Sequence, residues 1–265
     1  MRRVPAFILL ALAASSALAQ RVTVTLDRAV AAGPMTGRVY VMFARSGDRE
    51  PRLQAGSYGG SVPFFAIDVD SLKPGASVTL DAKALGYPQK SLADVPAGEY
   101  AVQAMMNVYT QFHRADGHVI WVHNDQWEGQ HFNNSPGNLV SEVARLTFNP
   151  KSQAPLKLSL TRKLPPVVVP PDTRWVRRIK IKSEMLSKFW GAPMYIGATV
   201  LLPKGFDEEP TRRYPAVYQQ GHFGLGAPFG FSEDTLAGGG RGRGGAAAPS
   251  VWDAVPTSAR ESGGE

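Results

Sequence analysis

Short segments with apolar residues at every second position, separated by turn formers, constrain the fold of this chain more than any other feature. Val22–Leu26 and Val39–Phe43 alternate with period two, which is the pattern of a strand with one buried face. Comparable segments occur at Val62–Val69, Ser77–Leu80, Tyr100–Tyr109, Val119–Val122, Val143–Phe148 and Leu156–Leu160. About eight short strands with few helical stretches predict an all-β sandwich over residues 20–162.

The turn before one of these strands refines the fold class. Residues 94–100 (DVPAGEY) precede the strand that starts near Ala101. This pattern resembles the corner of immunoglobulin-like sandwiches, in which a tyrosine at the strand start bonds back across the preceding turn. The alternative is an ordinary Pro/Gly turn followed by an edge tyrosine. We therefore expect an all-β immunoglobulin-like sandwich.

The first nineteen residues have the three parts of a secretion signal. Arg2 and Arg3 provide a positive start, Val4–Ala14 is an apolar run, and residues 17–19 (ALA) form a small-x-small cleavage pattern. A membrane anchor is the alternative, but a spanning helix needs about 20 apolar residues. The sequence predicts a signal peptide over residues 1–19, cleavage near Ala19–Gln20, and a secreted or periplasmic mature chain with no membrane span.

Composition excludes several kinds of chemistry. The chain contains no cysteine, which rules out disulfides, Cys-ligated zinc, iron–sulfur clusters and cysteine nucleophiles. The net charge of +7 falls once Arg2 and Arg3 leave with the signal. That modest excess favours weak attraction to acidic surfaces and does not indicate nucleic-acid binding in an exported chain. We expect no cofactor, and the sequence carries no indication of the oligomeric state.

A proline-rich segment separates two regions of different character. Residues 163–172 (KLPPVVVPPD) contain four prolines, which favour an extended, semi-rigid spacer. A domain boundary is expected there. The start of a second domain is predicted over residues 173–236, followed by a flexible Gly/Ala/Arg-rich tail over residues 237–265.

Three strands are expected in the second region. Residues 175–182 (WVRRIKIK) alternate between apolar and cationic side chains, which is typical of an edge strand guarded by cations, or else of an anion-binding stripe. Tyr195–Leu202 is the second strand, and Tyr214–Gln219 is the third. The third runs directly into a loop with the sequence Gly221-His222-Phe223-Gly224.

The order of these motifs resembles the opening of the α/β-hydrolase domain in the enterochelin-esterase-like, esterase D-like group of esterases. The matching residues are Val200–Phe206 (VLLPKGF) and Arg213–Gly224 (RYPAVYQQGHFG). That family commonly carries an immunoglobulin-like domain before the hydrolase, which agrees with the sandwich predicted above. The chain departs from the family pattern at Gln219-Gln220, where an apolar pair is usual, and in the order of Gly221 and His222.

The resemblance implies a serine-dependent carboxylic-ester hydrolase whose substrate is a small-molecule or acylated ester. Gly221, His222 and Phe223 would then line the oxyanion hole, where backbone N–H groups stabilise the tetrahedral intermediate. No G-x-S-x-G occurs in these residues. In this fold the nucleophile, acid and base follow the oxyanion loop, so we expect all three beyond Glu265. The chain is accordingly predicted to be the N-terminal part of such an esterase and inactive alone.

A polar loop with two tryptophans is the other candidate site. Residues 121–138 (WVHNDQWEGQHFNNSPGN) contain Trp121, His123, Trp127 and His131. The loop could face substrate as a wall of the active site, bind carbohydrate or protein as part of a non-enzymatic sandwich module, or be a plain surface loop. Four of the five histidines lie between residues 113 and 131, yet no pair of carboxylates shares a convincing spacing with them, and no metal site is expected.

Overall fold

The computed structural model describes residues 20–45, 47–56, 60–124, 131–220 and 224–232. The chain divides into two compact units after Leu225. In the second unit the described residues form one short 3-10 turn, Pro228–Gly230. The predicted signal (1–19) and tail (237–265) lie outside the described residues. No helix in the described ranges is long and apolar enough to span a membrane.

Strands make up most of the regular secondary structure in the described part of the first unit, together with two 3-10 turns (Pro51–Gln54 and Leu92–Asp94) and one helix, α1 (Glu184–Trp190). The strands in chain order are β1 (Val22–Leu26), β2 (Met35–Ala44), β3 (Phe64–Leu72), β4 (Ser77–Leu80), β5 (Leu85–Tyr87), β6 (Gly98–Val108), β7 (Thr110–His113), β8 (Val119–Val122), β9 (Leu139–Val140), β10 (Ala144–Phe148), β11 (Leu156–Leu160), β12 (Arg162–Lys163), β13 (Val176–Lys182) and β14 (Tyr195–Leu201).

Two sheets form the sandwich. The larger has seven strands in the order β12-β9-β6-β2-β3-β5, with β10 also paired to β6, and the smaller has the order β11-β1-β4. Among the described strands every pairing is antiparallel except β1 with β11. The remaining strands form two separate hairpins, β7–β8 and β13–β14.

The core lies between the two sheets, where the alternating residues of the sequence meet. Val39, Val41 and Phe43 of β2 are fully buried in one cluster with Val22 and Val24 of β1. Full burial of such a side chain contributes about 1.5–3 kcal/mol. The prediction of an all-β sandwich is therefore confirmed.

The corner predicted before β6 is also confirmed. The Tyr100 hydroxyl donates a hydrogen bond to the Pro96 carbonyl oxygen at 2.9 Å. The ring of Tyr100 lies 5.9 Å from Phe43 and meets it edge to face, which places the tyrosine in the core. This bond therefore fastens the turn of residues 96–99 to the first residues of a central strand.

The sandwich extends slightly into the predicted linker. Strand β12 includes Lys163 and pairs with β9. Leu164 is buried, and its N–H donates to the Asn138 carbonyl oxygen at 2.8 Å. Residues 165–172 then continue without regular secondary structure.

The second predicted region begins with a hairpin interrupted by a helix. Strands β13 and β14 pair over seven residues, from Val176 with Leu201 to Lys182 with Tyr195. The sequence reasoning predicted both strands but missed α1 between them. The Ser183 hydroxyl caps this helix by accepting a bond from the Leu186 N–H at 3.2 Å, and Gly191 ends it with a φ of 67°.

The prediction of a third strand over Tyr214–Gln219 is wrong. These residues carry no strand assignment, and the side chain of Tyr218 is 94% exposed. Pro215 lacks the N–H that a ladder needs, and in the described ranges no strand is hydrogen-bonded to this segment as a sheet neighbour. An α/β-hydrolase sheet is therefore not formed by the described residues.

Candidate functional site

The predicted oxyanion segment Gly221–Phe223 lies outside the described residues, as does Trp127. The residues that follow the segment are bound to the β13–β14 hairpin. The Thr199 hydroxyl donates to the Gly224 carbonyl oxygen at 3.3 Å, and the Arg178 guanidinium donates two bonds to the Leu225 carbonyl oxygen at 3.0 and 2.9 Å. The chain just after the predicted oxyanion segment is thus held at this hairpin.

The cations of β13 are occupied by intramolecular partners. Arg178 also donates to the Pro171 carbonyl oxygen at 2.8 Å. Arg177 lies 3.4 Å from the Asp207 carboxylate, and Lys180 lies over the Tyr195 ring at 4.5 Å. These contacts favour a structural role for the cationic strand over an anion-binding stripe.

Helix α1 rests on the β7–β8 hairpin of the sandwich region. The rings of Trp190 and Phe112 meet edge to face at 5.5 Å. The Ala115 N–H donates to the Phe189 carbonyl oxygen at 2.7 Å, and the Arg114 guanidinium lies over the Phe189 ring at 4.8 Å. The first elements after the linker are therefore attached to the sandwich by aromatic packing and a backbone hydrogen bond.

The remaining residues of the predicted loop site lie on different elements. Trp121 is exposed on β8, and His123, just after it, has Nδ1 3.2 Å from the Val108 carbonyl oxygen. His131 is exposed, and its carbonyl oxygen accepts a bond from the Ser135 hydroxyl at 2.8 Å. Within the described ranges, no group of three His, Asp or Glu side chains is placed to hold a metal ion.

Residues 131–138 lie against one face of the seven-stranded sheet. We call this the outer face, because it is turned away from the smaller sheet. The rings of Phe132 and Tyr40 lie 5.1 Å apart on this face. Strand alternation also places Arg38 and Met42 of β2 here, because Val39 and Val41 point into the core. The outer face carries two clusters of polar side chains.

The first cluster, the Glu50 network, consists of Glu50, Arg52, Gln103, Asn133 and Arg162. The Glu50 carboxylate accepts bonds from Arg52 Nε at 2.7 Å and from Gln103 Nε2 at 2.8 Å, and Arg162 lies 3.5 Å away. Arg52 and Asn133 exchange two bonds, of 2.6 and 3.0 Å, each from a side chain to the other residue's carbonyl oxygen.

The hydrogen bond from Arg52 is the largest cause that lowers the pKa of Glu50 to about 2. Glu50 is therefore charged at neutral pH. The network joins the 3-10 turn of residues 51–54, strands β6 and β12, and the loop of residues 131–138. The polar groups of the network bond to one another, and the two bonds between Arg52 and Asn133 attach the loop to the sheet.

The second cluster, the Arg38 cluster, consists of Arg38, Asp68, Tyr40, Tyr109 and Asn107. Arg38 donates two parallel bonds to the Asp68 carboxylate, at 2.6 and 2.8 Å. This contact holds the pKa of Asp68 below its ordinary value and raises that of Arg38. Burial raises the pKa of Tyr40 and of Tyr109, and the positive charge of Arg38 acts in the opposite direction on both. Both phenols are therefore protonated at neutral pH.

Asn107 completes the Arg38 cluster. It is the register partner of Arg38 across β2 and β6, and only 7% of it is exposed. Its Oδ1 has no hydrogen-bond partner within the part of the chain that the structure describes. A buried unpaired acceptor is uncommon in proteins, because its lost hydration is not replaced. The cluster can therefore accept a donor from a bound molecule.

The residues of the two clusters are not apparent as a site in the sequence. Arg38 and Tyr40 alternate with the core residues of β2. This alternation indicates that both side chains lie on the outer face, and it is the only sign of the Arg38 cluster in the sequence. The strand pairing that brings Asp68 and Asn107 to either side of Arg38 is a property of the register.

The fold thus defines a two-sheet β-sandwich protein with a helix-interrupted hairpin attached to it. A comparison of the chain with protein-family models, with curated proteins and with solved structures found no match.

Proposed function

We propose that this chain is the N-terminal part of an exported serine esterase, in which the sandwich precedes an α/β-hydrolase domain that starts at β13. The intact reaction is acyl transfer from a carboxylic ester to water. The motif order around Val200–Phe206 and Arg213–Gly224 first suggests this function. The observation that carries it is the β13–β14 hairpin, in which the first two strands predicted for the second region pair with each other.

The exposed face of this hairpin supports the proposal. Ile181 of β13 pairs directly with Ile196 of β14, and Ile179 lies two residues along the same face. All three side chains are exposed. Both faces of the sheet in an α/β domain are normally covered by helices. A bare apolar face is what the first strands of such a sheet present before the rest of the domain packs on them.

In the proposed reaction, the segment Gly221–Phe223 provides backbone N–H groups to the oxyanion hole. The contacts of Thr199 with Gly224 and of Arg178 with Leu225 support this role, since they hold the following residues at the hairpin. One such donor is worth about 10²–10³ in kcat. Because residues 1–265 contain no G-x-S-x-G, the chain alone is expected to be inactive.

The test is hydrolysis of p-nitrophenyl acetate by residues 20–265 and by the complete translation product of the gene. We expect no activity from the former. We expect hydrolysis by the latter, together with covalent labelling by a fluorophosphonate. Phe223→Pro removes one N–H and should lower kcat about 10²–10³-fold with little change in KM, whereas Phe223→Leu keeps the N–H and serves as the matched control. A complete product that neither hydrolyses esters nor is labelled would overturn the proposal.

A further inference from the structure

We propose that the Arg38 cluster binds a neutral carbohydrate chain on the outer face of the seven-stranded sheet. This site belongs to the sandwich and is independent of any esterase chemistry. Its elements are a paired guanidinium and carboxylate, two phenols, and a buried amide with an unpaired oxygen.

The charge of the cluster selects a neutral ligand. The Arg38 guanidinium is already neutralised by the Asp68 carboxylate through two bonds. The Thr36 hydroxyl on the same strand donates to Asp70 at 2.9 Å, which adds a negative charge nearby. Arg38 is the cation of this cluster as the described residues form it, and because Asp68 neutralises it, a phosphate, sulfate or nucleic-acid ligand gains little charge attraction here. Sugar hydroxyls both donate and accept, so they can use the remaining N–H groups of Arg38 and the free lone pairs of Asp68.

Asn107 presents a buried acceptor that none of the donors in the cluster reaches. Its Oδ1 is buried and has no partner among the described residues. Directly across the strand pair is Arg38, which can only donate and is engaged with Asp68. A ligand hydroxyl placed between these side chains would donate to Asn107 and satisfy it.

Aromatic rings continue from the cluster across the same face. The ring of Tyr40 lies 5.1 Å from Phe132 and 6.3 Å from Phe64, and Phe64 lies 5.9 Å from the exposed ring of Tyr87. The C–H faces of sugar rings are apolar and pack on such side chains, while their hydroxyls reach the polar groups beside them. Tyr40, Phe64 and Phe132 are partly buried because they also pack on the cluster that contains Met42 and Met105, whereas Tyr87 is exposed. The accessible parts of these four rings offer contacts to a chain of several sugars.

A polypeptide is a poorer occupant of this face. Peptides commonly bind sheets by adding a strand to an open edge. Four residues of the Arg38 cluster lie on β3, β2 and β6, whose backbone groups are already paired with one another, and Tyr109 directly follows β6. Only side chains are available there, and they offer alternating donors and acceptors beside aromatic rings.

The experiment is affinity electrophoresis of residues 20–265 in native gels containing wheat arabinoxylan, hydroxyethylcellulose or amylopectin, with heparin as an anionic arm. Titration calorimetry with the matching hexasaccharide then gives Kd. We expect retardation by at least one neutral polymer and none by heparin. Tyr109→Phe and Asn107→Ala should each raise Kd about tenfold. Arg177→Ala, on β13, is the matched control and should leave Kd unchanged.

The variants distinguish loss of the site from loss of the fold. Tyr109→Phe keeps the ring and removes one hydroxyl, so its Tm should stay near that of the parent chain. Three results would overturn the proposal: no retardation by any neutral polymer, retardation by heparin only, or equal Kd in the parent chain and both cluster variants. None of them bears on the esterase assay, which measures a different region.

Discussion

Replacing Glu50 with glutamine tests whether the Glu50 network stabilises the sandwich through its charge. The carboxylate accepts bonds of 2.7 Å from Arg52 and 2.8 Å from Gln103. These partners hold its pKa at about 2, below the ordinary 4.5. Glutamine preserves the size of the side chain and can keep the oxygen that accepts from Arg52 and Gln103. Its amide nitrogen replaces the oxygen that faces Arg162, so the substitution removes the charge and that contact.

The magnitude follows from the pKa. One pKa unit corresponds to 1.36 kcal/mol, so the full difference corresponds to about 3 kcal/mol. The Glu50 side chain is 31% exposed, and screening by water reduces the effect to about 1–2 kcal/mol. For a domain of this size, 1 kcal/mol shifts Tm by about 2–4 °C. We therefore expect Glu50→Gln to lower Tm by about 2–8 °C at pH 7.

The pH dependence gives the sharper test. Because the pKa of Glu50 is lower in the folded state, its stabilisation is complete above about pH 4.5 and is lost as pH falls towards 2. The Tm difference between the parent chain and Glu50→Gln should shrink across this range. Differential scanning calorimetry at pH 7, 4.5, 3 and 2.5 measures it. The comparison cancels the titration of the other carboxylates, which both proteins share.

Glu142→Gln is the matched control, because Glu142 lies 3.9 Å from the same Arg162 but is 82% exposed. Its effect should stay below about 0.5 kcal/mol at every pH. An equal Tm difference at pH 7 and pH 3, or no difference at pH 7, would refute the reasoning for Glu50.

Three further predictions concern the sandwich and the attached helix. Tyr100→Phe removes the bond across the corner and should lower the free energy of unfolding in urea by about 1 kcal/mol; no change would mean that the corner bond contributes nothing. Gly37→Ala places a Cβ against the backbone oxygen of Asn107 and should cost more than about 2 kcal/mol by the same measurement, which an unchanged midpoint would contradict. Trp190→Ala removes the ring contact with Phe112 and should speed proteolysis of residues 165–201, whereas Met185→Ala, exposed on the same helix, should not; equal digestion of the two variants would show that the ring contact does not hold the helix.

The strands of the sandwich could be predicted because their signal is local. Burial on one face of a strand selects apolar residues at every second position, so Val39, Val41 and Phe43 reveal their strand without knowledge of its partners. The corner at Tyr100 was readable for a similar reason, since the hydroxyl and its acceptor lie only four residues apart.

The errors and omissions arise where distant residues decide the outcome. Helix α1 has seven residues, and so short a helix is marginal in water unless tertiary contacts support it. Its support comes from Phe112, far away in the sequence. The segment Tyr214–Gln219 has the composition of a strand, but a strand also needs a hydrogen-bonded neighbour, and among the described residues no strand pairs with it.

The candidate sites divide in the same way. Gly221–Phe223 and Trp121–His131 were recognised as continuous sequence segments, whereas the Arg38 cluster joins residues from three strands whose register brings them together. The sequence by itself determined the alternation, the turns and hence the β-sandwich, because each depends on neighbouring residues only. The tertiary structure alone decided which polar side chains meet on the outer face, because strand pairing is a contact between segments that are distant along the chain.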